Sequence, residues 1–172
     1  FIDKDNINNL ILRGGISGEI GILSVDIDGN DYWVWEAIDV VNPVIVVAEY
    51  NSVFGAERAV TVPYDPAFVR SNAHYSNLYW GCSIKALELL GKRKGYALVG
   101  SNSAGNNVFF VREDHLHNLK PVRAEDAYVE SQFRESRDKS AKLTFLSGAG
   151  RYTTIAHLPL VDVSMHRGKI GQ

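Results

Sequence analysis

"EIGILSVDIDGND", residues 19–31, governs how the rest of the chain is read. An apolar, β-branched run gives way to three aspartates, a glycine and an asparagine within six positions, 26–31. A short greasy segment bounded by Gly18 and by Asp-Gly-Asn is the pattern of a buried strand, with its carboxylates at the carboxyl end. "DYWVWEAID" (31–39) then reads as a short helix. "NPVIVVAEYN" (42–51) reads as a second buried strand, opened by Pro43, with Glu49 and Asn51 at its exit. Continuous apolar strands on either side of a helix predict parallel neighbours covered on both faces.

Working outward, "DKDNINNLILRGG" (3–15) predicts an amphipathic surface helix with Asp3 and Asp5 as cap candidates. Residues 52–80 carry two prolines and little period, which predicts a long loop, functional or disordered. "CSIKALELLGKRKG" (82–95) predicts a helix that buries Ile84, Leu87 and Leu90, with Lys92–Lys94 at its negative end. "YALVGS" (96–101) and "NVFFVR" (107–112) flank "NSAGN", the pattern of a hairpin with a five-residue loop. Residues 123–143 predict a charged, exposed helix, and 144–172 an irregular or extended tail packed on a domain of residues 1–143. The fold class is α/β: a three-layer, partial doubly wound sheet, mostly parallel, with a C-terminal antiparallel hairpin.

The 172 residues, 45% hydrophobic, suffice for one domain with a real core. A net charge of −2 and a pI of about 6.2 offer no basic face to nucleic acid or to an anionic membrane. No apolar stretch approaches the roughly 20 residues that cross a bilayer. Cys82 is the only cysteine, so no internal disulfide can form, and a cytoplasmic location is expected. The chain starts at Phe1 and its only methionine is Met165, so the sequence is read as a fragment.

Asp26-Ile27-Asp28 invites a metal test. Counted as an EF-hand loop from Asp26, the sixth and twelfth positions hold Asp31 and Ala37 instead of glycine and a bidentate glutamate, so that pattern fails. His115 and His117 are spaced for a strand but sit in turn-like sequence, and no metal ligand set is assigned. Ser83 reads as a helix cap, Cys82 as a small buried residue, and Trp33 and Trp35 as occupying different helix faces.

"IGILSVDIDGNDYWVWEAI", "PVIVVAEYN" and "GCSIKALELLGKRKGYALVGSNSAGNNVFFVR" together resemble the carboxyl-terminal half of a class I S-adenosylmethionine-dependent methyltransferase, of the FkbM type, over roughly residues 5–112. The resemblance implies a Rossmann-like methyltransferase sheet from about its fourth strand onward, whose last two strands form a hairpin with a reversed strand. It implies S-adenosylmethionine as cofactor of the parent protein and a small or sugar-like acceptor. The family's glycine-rich turn after a first strand has no counterpart, because Gly14–Gly15 and "SGAGR" (147–151) both follow helices. The fragment is therefore expected to be inactive by itself, and no cofactor-binding residue is assigned.

Ligands of open α/β sheets gather beyond the carboxyl ends of the strands. On that ground Asp26, Asp28 and Asn30 are the candidate catalytic residues. Asp31, Glu49, Asn51 and Tyr79 are the candidate acceptor-binding residues, with loop 52–80 as a lid. Asp31 reads more readily as a cap for the following helix. Two other readings stay open. Asp26 and Asp28 also fit the D-x-D element of metal-dependent nucleotide-sugar glycosyltransferases. A half sheet with a bare edge also fits a non-catalytic module whose homodimer covers that edge.

Overall fold

The structure, a computed structural model, describes residues 1–166. Helix α1 (Ile7–Arg13) leads into strand β1 (Gly18–Val25), helix α2 (Asp31–Ala37) and strand β2 (Val41–Glu49). Asn8 joins α1 to the end of α2: its Nδ2 donates to the Ala37 carbonyl at 2.9 Å and its Oδ1 accepts from Asp39 N–H. β1 and β2 pair in parallel, with Ile22 opposite Ile45 and Val25 opposite Ala48. Both strand ends therefore emerge on one rim.

Helix α4 (Ile84–Arg93) begins where Ser83 Oγ accepts from Ala86 N–H, as a serine cap should. It is followed by β4 (Tyr96–Ser101) and β5 (Asn107–Arg112). Asn102 Oδ1 holds the five-residue turn between them by accepting from the N–H groups of Gly105, Asn106 and Asn107. The sheet order is β1-β2-β5-β4. β5 lies antiparallel to both β2 and β4, so three of the four strands point one way while only the β1–β2 ladder is parallel. The sheet is mixed, with the expected antiparallel hairpin inserted beside β2.

Helices α2 and α4 cover one face, where Trp35, Leu87 and Leu90 meet Val46 and Phe110 in one buried cluster. The approach is close at Gly91, where an added Cβ would sit 2.8 Å from the Phe110 ring and 3.3 Å from Trp35. The opposite face does not match the expectation of two covered faces. Ile22 is 61% exposed and Ile45 37% exposed, and β1 is an edge strand among the described residues.

Loop 52–80 and the tail depart further from the sequence reading. The loop carries β3 (Val60–Thr61) and α3 (Arg70–Ala73). The tail carries α6 (Ala149–Ile155) and β6 (Val161–Asp162), which pairs with β3. Phe54, Val62, Leu78 and Ile155 form a second apolar cluster between them. Over its described residues, 144–166, the tail is thus ordered structure, and the loop has a small core of its own, because each supplies the apolar partners the other lacks. The helix expected over 123–143 shrinks to α5 (Ala124–Ala127). Beyond it no apolar stripe repeats, so side-chain and backbone bonds to distant segments replace the helical ladder. Tyr128 Oη donates to the Ser52 carbonyl, Ser131 N–H donates to Ser52 Oγ, and Ser136 Oγ accepts from Leu146 N–H. No helix of the described residues is long and apolar enough to cross a membrane.

Candidate functional site

The rim at the carboxyl ends of β1 and β2 borders two adjoining cavities. The larger, about 540 Å³, lies against Ile27, Asp28, Asn30 and Phe68. The smaller, about 280 Å³, is lined by Glu49, Asn51, Trp80, Ser131, Arg134 and Arg151, among others. Arg70 and Glu135 line both. Arg70 is held on three sides: Nη1 pairs with Asp28 at 2.9 Å, Nε donates to the Asn77 carbonyl, and the guanidinium lies 4.6 Å from the centre of the Trp80 ring. It forms a fixed partition between the two spaces.

Glu49 is under strong electrostatic stress. Only 8% of it is exposed, and its Oε2 is buried with no hydrogen-bond partner. Burial first, then the charges of Asp26, Asp31 and Asp28, push its pKa up to about 8, against a weaker opposing pull from Arg70. Near neutral pH it is a mostly protonated acid facing a cavity.

The other candidates divide. Asp26 and Asp28 are exposed; Asp28 sits at φ +56° and is bound to Arg70. Asn30 ties the acidic loop to the next one, its Nδ2 donating to the Asp65 carbonyl at 2.7 Å. Asp31 is wholly buried as the first residue of α2. Its two oxygens accept from Ile27 N–H and Gly29 N–H, each at 2.9 Å, so it closes the preceding loop instead of capping the helix. Burial outweighs those bonds and raises its pKa to about 6. Asn51 borders the smaller cavity, but its amide donates to the Leu78 and Trp80 carbonyls and its oxygen accepts from Val53 N–H. Tyr79 points to the tail, where its hydroxyl donates to the Pro159 carbonyl. Asn51 and Tyr79 therefore spend their polar atoms on holding the backbone.

Arg70, Arg134 and Arg151 were not legible as site residues. Arg70 lies in a loop without period, Arg134 in a segment that resembled an exposed helix, and Arg151 in the tail. No local pattern marks any of them. Ser131 and Arg134 reach the cavity because residues 130–131 cross over the β4–β5 turn. Gly105 makes that crossing possible: its φ is +75°, and a Cβ there would come within 2.7 Å of the Glu130 carbonyl and Ser131 N. Gly105→Ala is expected to cost about 1–3 kcal/mol and to lift the crossing segment. Urea unfolding measures the first effect, and faster proteolysis between residues 128 and 147 the second. Wild-type proteolysis of the variant would contradict the placement.

Among the described residues, no group of three or more His, Cys, Asp and Glu side chains is gathered as a metal site. Ser83 serves as the expected cap, Cys82 is buried, and His115 and His117 stack edge to face 6.3 Å apart. Comparison with protein-family models, with curated proteins and with solved structures finds no match to this chain.

Proposed function

We propose that the rim crevice is the acceptor side of a transferase, read most economically as an S-adenosylmethionine-dependent methyltransferase of the FkbM-like kind acting on a hydroxyl. The observation that carries this reading is Glu49: a buried carboxyl with an unpartnered oxygen, lining a cavity at a parallel-strand end, with a pKa of about 8. A base whose pKa lies near the working pH is suited to taking a proton from an acceptor hydroxyl. The reversed β5 between β2 and β4 supports the same family reading. Asp28 and Asn30 support the crevice by fixing Arg70 and the neighbouring loop.

S-adenosylmethionine would supply an electrophilic methyl group. The residues present do not form a cradle for it. Gly29, the glycine that follows β1, is packed so closely that an added Cβ would lie 2.2 Å from the Phe68 ring. Asp31 is buried with both oxygens engaged. This chain's own contribution is therefore to admit the acceptor, orient it and accept its proton at Glu49.

The test is a transfer assay with methyl-labelled S-adenosylmethionine and a panel of small hydroxyl acceptors, run on the polypeptide as its gene encodes it. Label transfer is expected, falling about 10²–10⁴-fold in Glu49→Gln. Calorimetry of the 172-residue chain alone is expected to give no heat with the donor. Absence of transfer to any acceptor, combined with heat from a nucleotide-sugar plus manganese, would replace this reading with the glycosyltransferase one. The exposed Ile22 on edge strand β1 favours the assembly reading instead. Silence toward both donors, with a dimer by light scattering, would establish that reading.

A further inference from the structure

Arg151 sits on α6 and is only 7% exposed, yet its Nε is buried without a partner. Its one hydrogen bond is long, from Nη1 to the Ser131 carbonyl at 3.5 Å. No carboxylate of the described residues lies within ion-pair distance of it; Glu130, the one acid that raises its pKa, accepts from Gly148 N–H at the start of α6. A desolvated guanidinium without a counter-charge is costly in a folded protein and calls for a reason. The same 280 Å³ cavity receives Arg134, which also makes no ion pair among the described residues, and Arg70. The lining acids do little to balance them: Glu49 is largely protonated, and Glu135, exposed like Arg134, pairs with Arg137, while Asp28 in the neighbouring cavity is committed to Arg70. Burial lowers the Arg151 pKa; Glu130 and Tyr128 oppose that in part, and the charges of Arg134 and Arg70 add to it.

We infer that the smaller cavity is a binding site for phosphate, free or as a small organic monoester, with Arg151 as its anchor and Arg134 assisting. A planar guanidinium with free N–H groups matches the paired oxygens of either anion. The neutral Glu49 acid can stand beside the anion without repelling it. This assignment rests on the crevice proposed above as the acceptor site, and it narrows the acceptor to a hydroxyl compound that carries a negative group.

Calorimetric titration of the full chain, without any methyl donor, tests it. The probes are inorganic phosphate, glucose 6-phosphate and glucose, each to about 10 mM, a range that covers millimolar dissociation constants. Saturable heat is expected from the two anions and none from glucose. Arg151→Gln should weaken anion binding at least tenfold, Arg151→Lys should restore part of it, and Arg123→Ala, an exposed control paired with Asp126, should change nothing. If Arg151→Gln fails to fold by circular dichroism, Arg134→Gln decides by the same criterion, with a smaller loss expected. No saturable heat in the wild type, equal heat from glucose, or unchanged affinity in the deciding variant overturns the inference. Anion binding without methyl transfer would leave this site standing and remove the methyltransferase reading. Methyl transfer to neutral acceptors without anion binding would do the reverse.

Discussion

Trp35→Ala is expected to lower the unfolding free energy by about 3–5 kcal/mol, the range for deleting a large buried aromatic. Trp35 is 1% exposed and packs on Phe110 with ring centres 4.9 Å apart, and on Tyr96 at 6.2 Å. It sits where α2, α4 and the sheet meet, beside Gly91, so helical backbone borders the space it would vacate. Domains of this size hold roughly 5–15 kcal/mol in all, so the variant should be marginal at 37 °C. Urea unfolding gives the number. Phe110→Ala should cost a similar amount, and the double variant less than the sum, because both deletions open one cavity. A Trp35→Ala loss below about 1 kcal/mol would mean that the helices do not press on the sheet as described.

The second large effect is a fall in stability as pH rises through neutrality. Glu49 has a folded pKa of about 8, raised by burial and by Asp26, Asp31 and Asp28, against an ordinary value of 4.5. Between those two values the folded chain holds a proton that the unfolded chain has released. Folding is then favoured by acid: the contribution is full below about pH 4.5 and is lost as pH climbs through 8. Asp31, raised to about 6, adds a loss of the same sign at lower pH. Together they should remove on the order of 5 kcal/mol between pH 5 and pH 8.5. Urea midpoints at pH 5, 6.5 and 8.5 measure it. Glu49→Gln should flatten the upper half of the curve and be the more stable protein at pH 8.5. A midpoint that rises with pH across this window would refute the burial assigned to Glu49. As the proposed proton acceptor, Glu49 would act in its ionised form, so activity should climb over the same interval in which stability declines.

Where local chemistry dictates structure, the sequence could be read. The β1 and β2 runs, the Ile84/Leu87/Leu90 stripe with its Ser83 cap, and the Asn102-to-Asn106 turn all formed where pattern placed them, although β1, expected to be buried, is largely exposed on its edge. The 123–143 segment misled because charge at helical spacing costs nothing in an isolated peptide, whereas here Ser52 and Ser136 offer the backbone better partners. The tail misled because α6 and β6 exist only against loop 52–80. Glu49 was visible as a strand-end acid, but its burial, which raises its pKa, depends on segments far along the chain. Asn51 had the right address and the wrong employment, since backbone carbonyls claim it first, and Tyr79 turns away from both cavities to the Pro159 carbonyl.

The reversed strand has a consequence for biosynthesis. β2 gains its second neighbour only when β5 arrives, roughly sixty residues after Glu49 has left the ribosome. A nascent chain halted anywhere in that interval exposes a parallel strand pair bare on both sides, an invitation to aggregation that chaperones would have to meet. Completion of the sheet is thus a late event, timed by translation of residues 107–112.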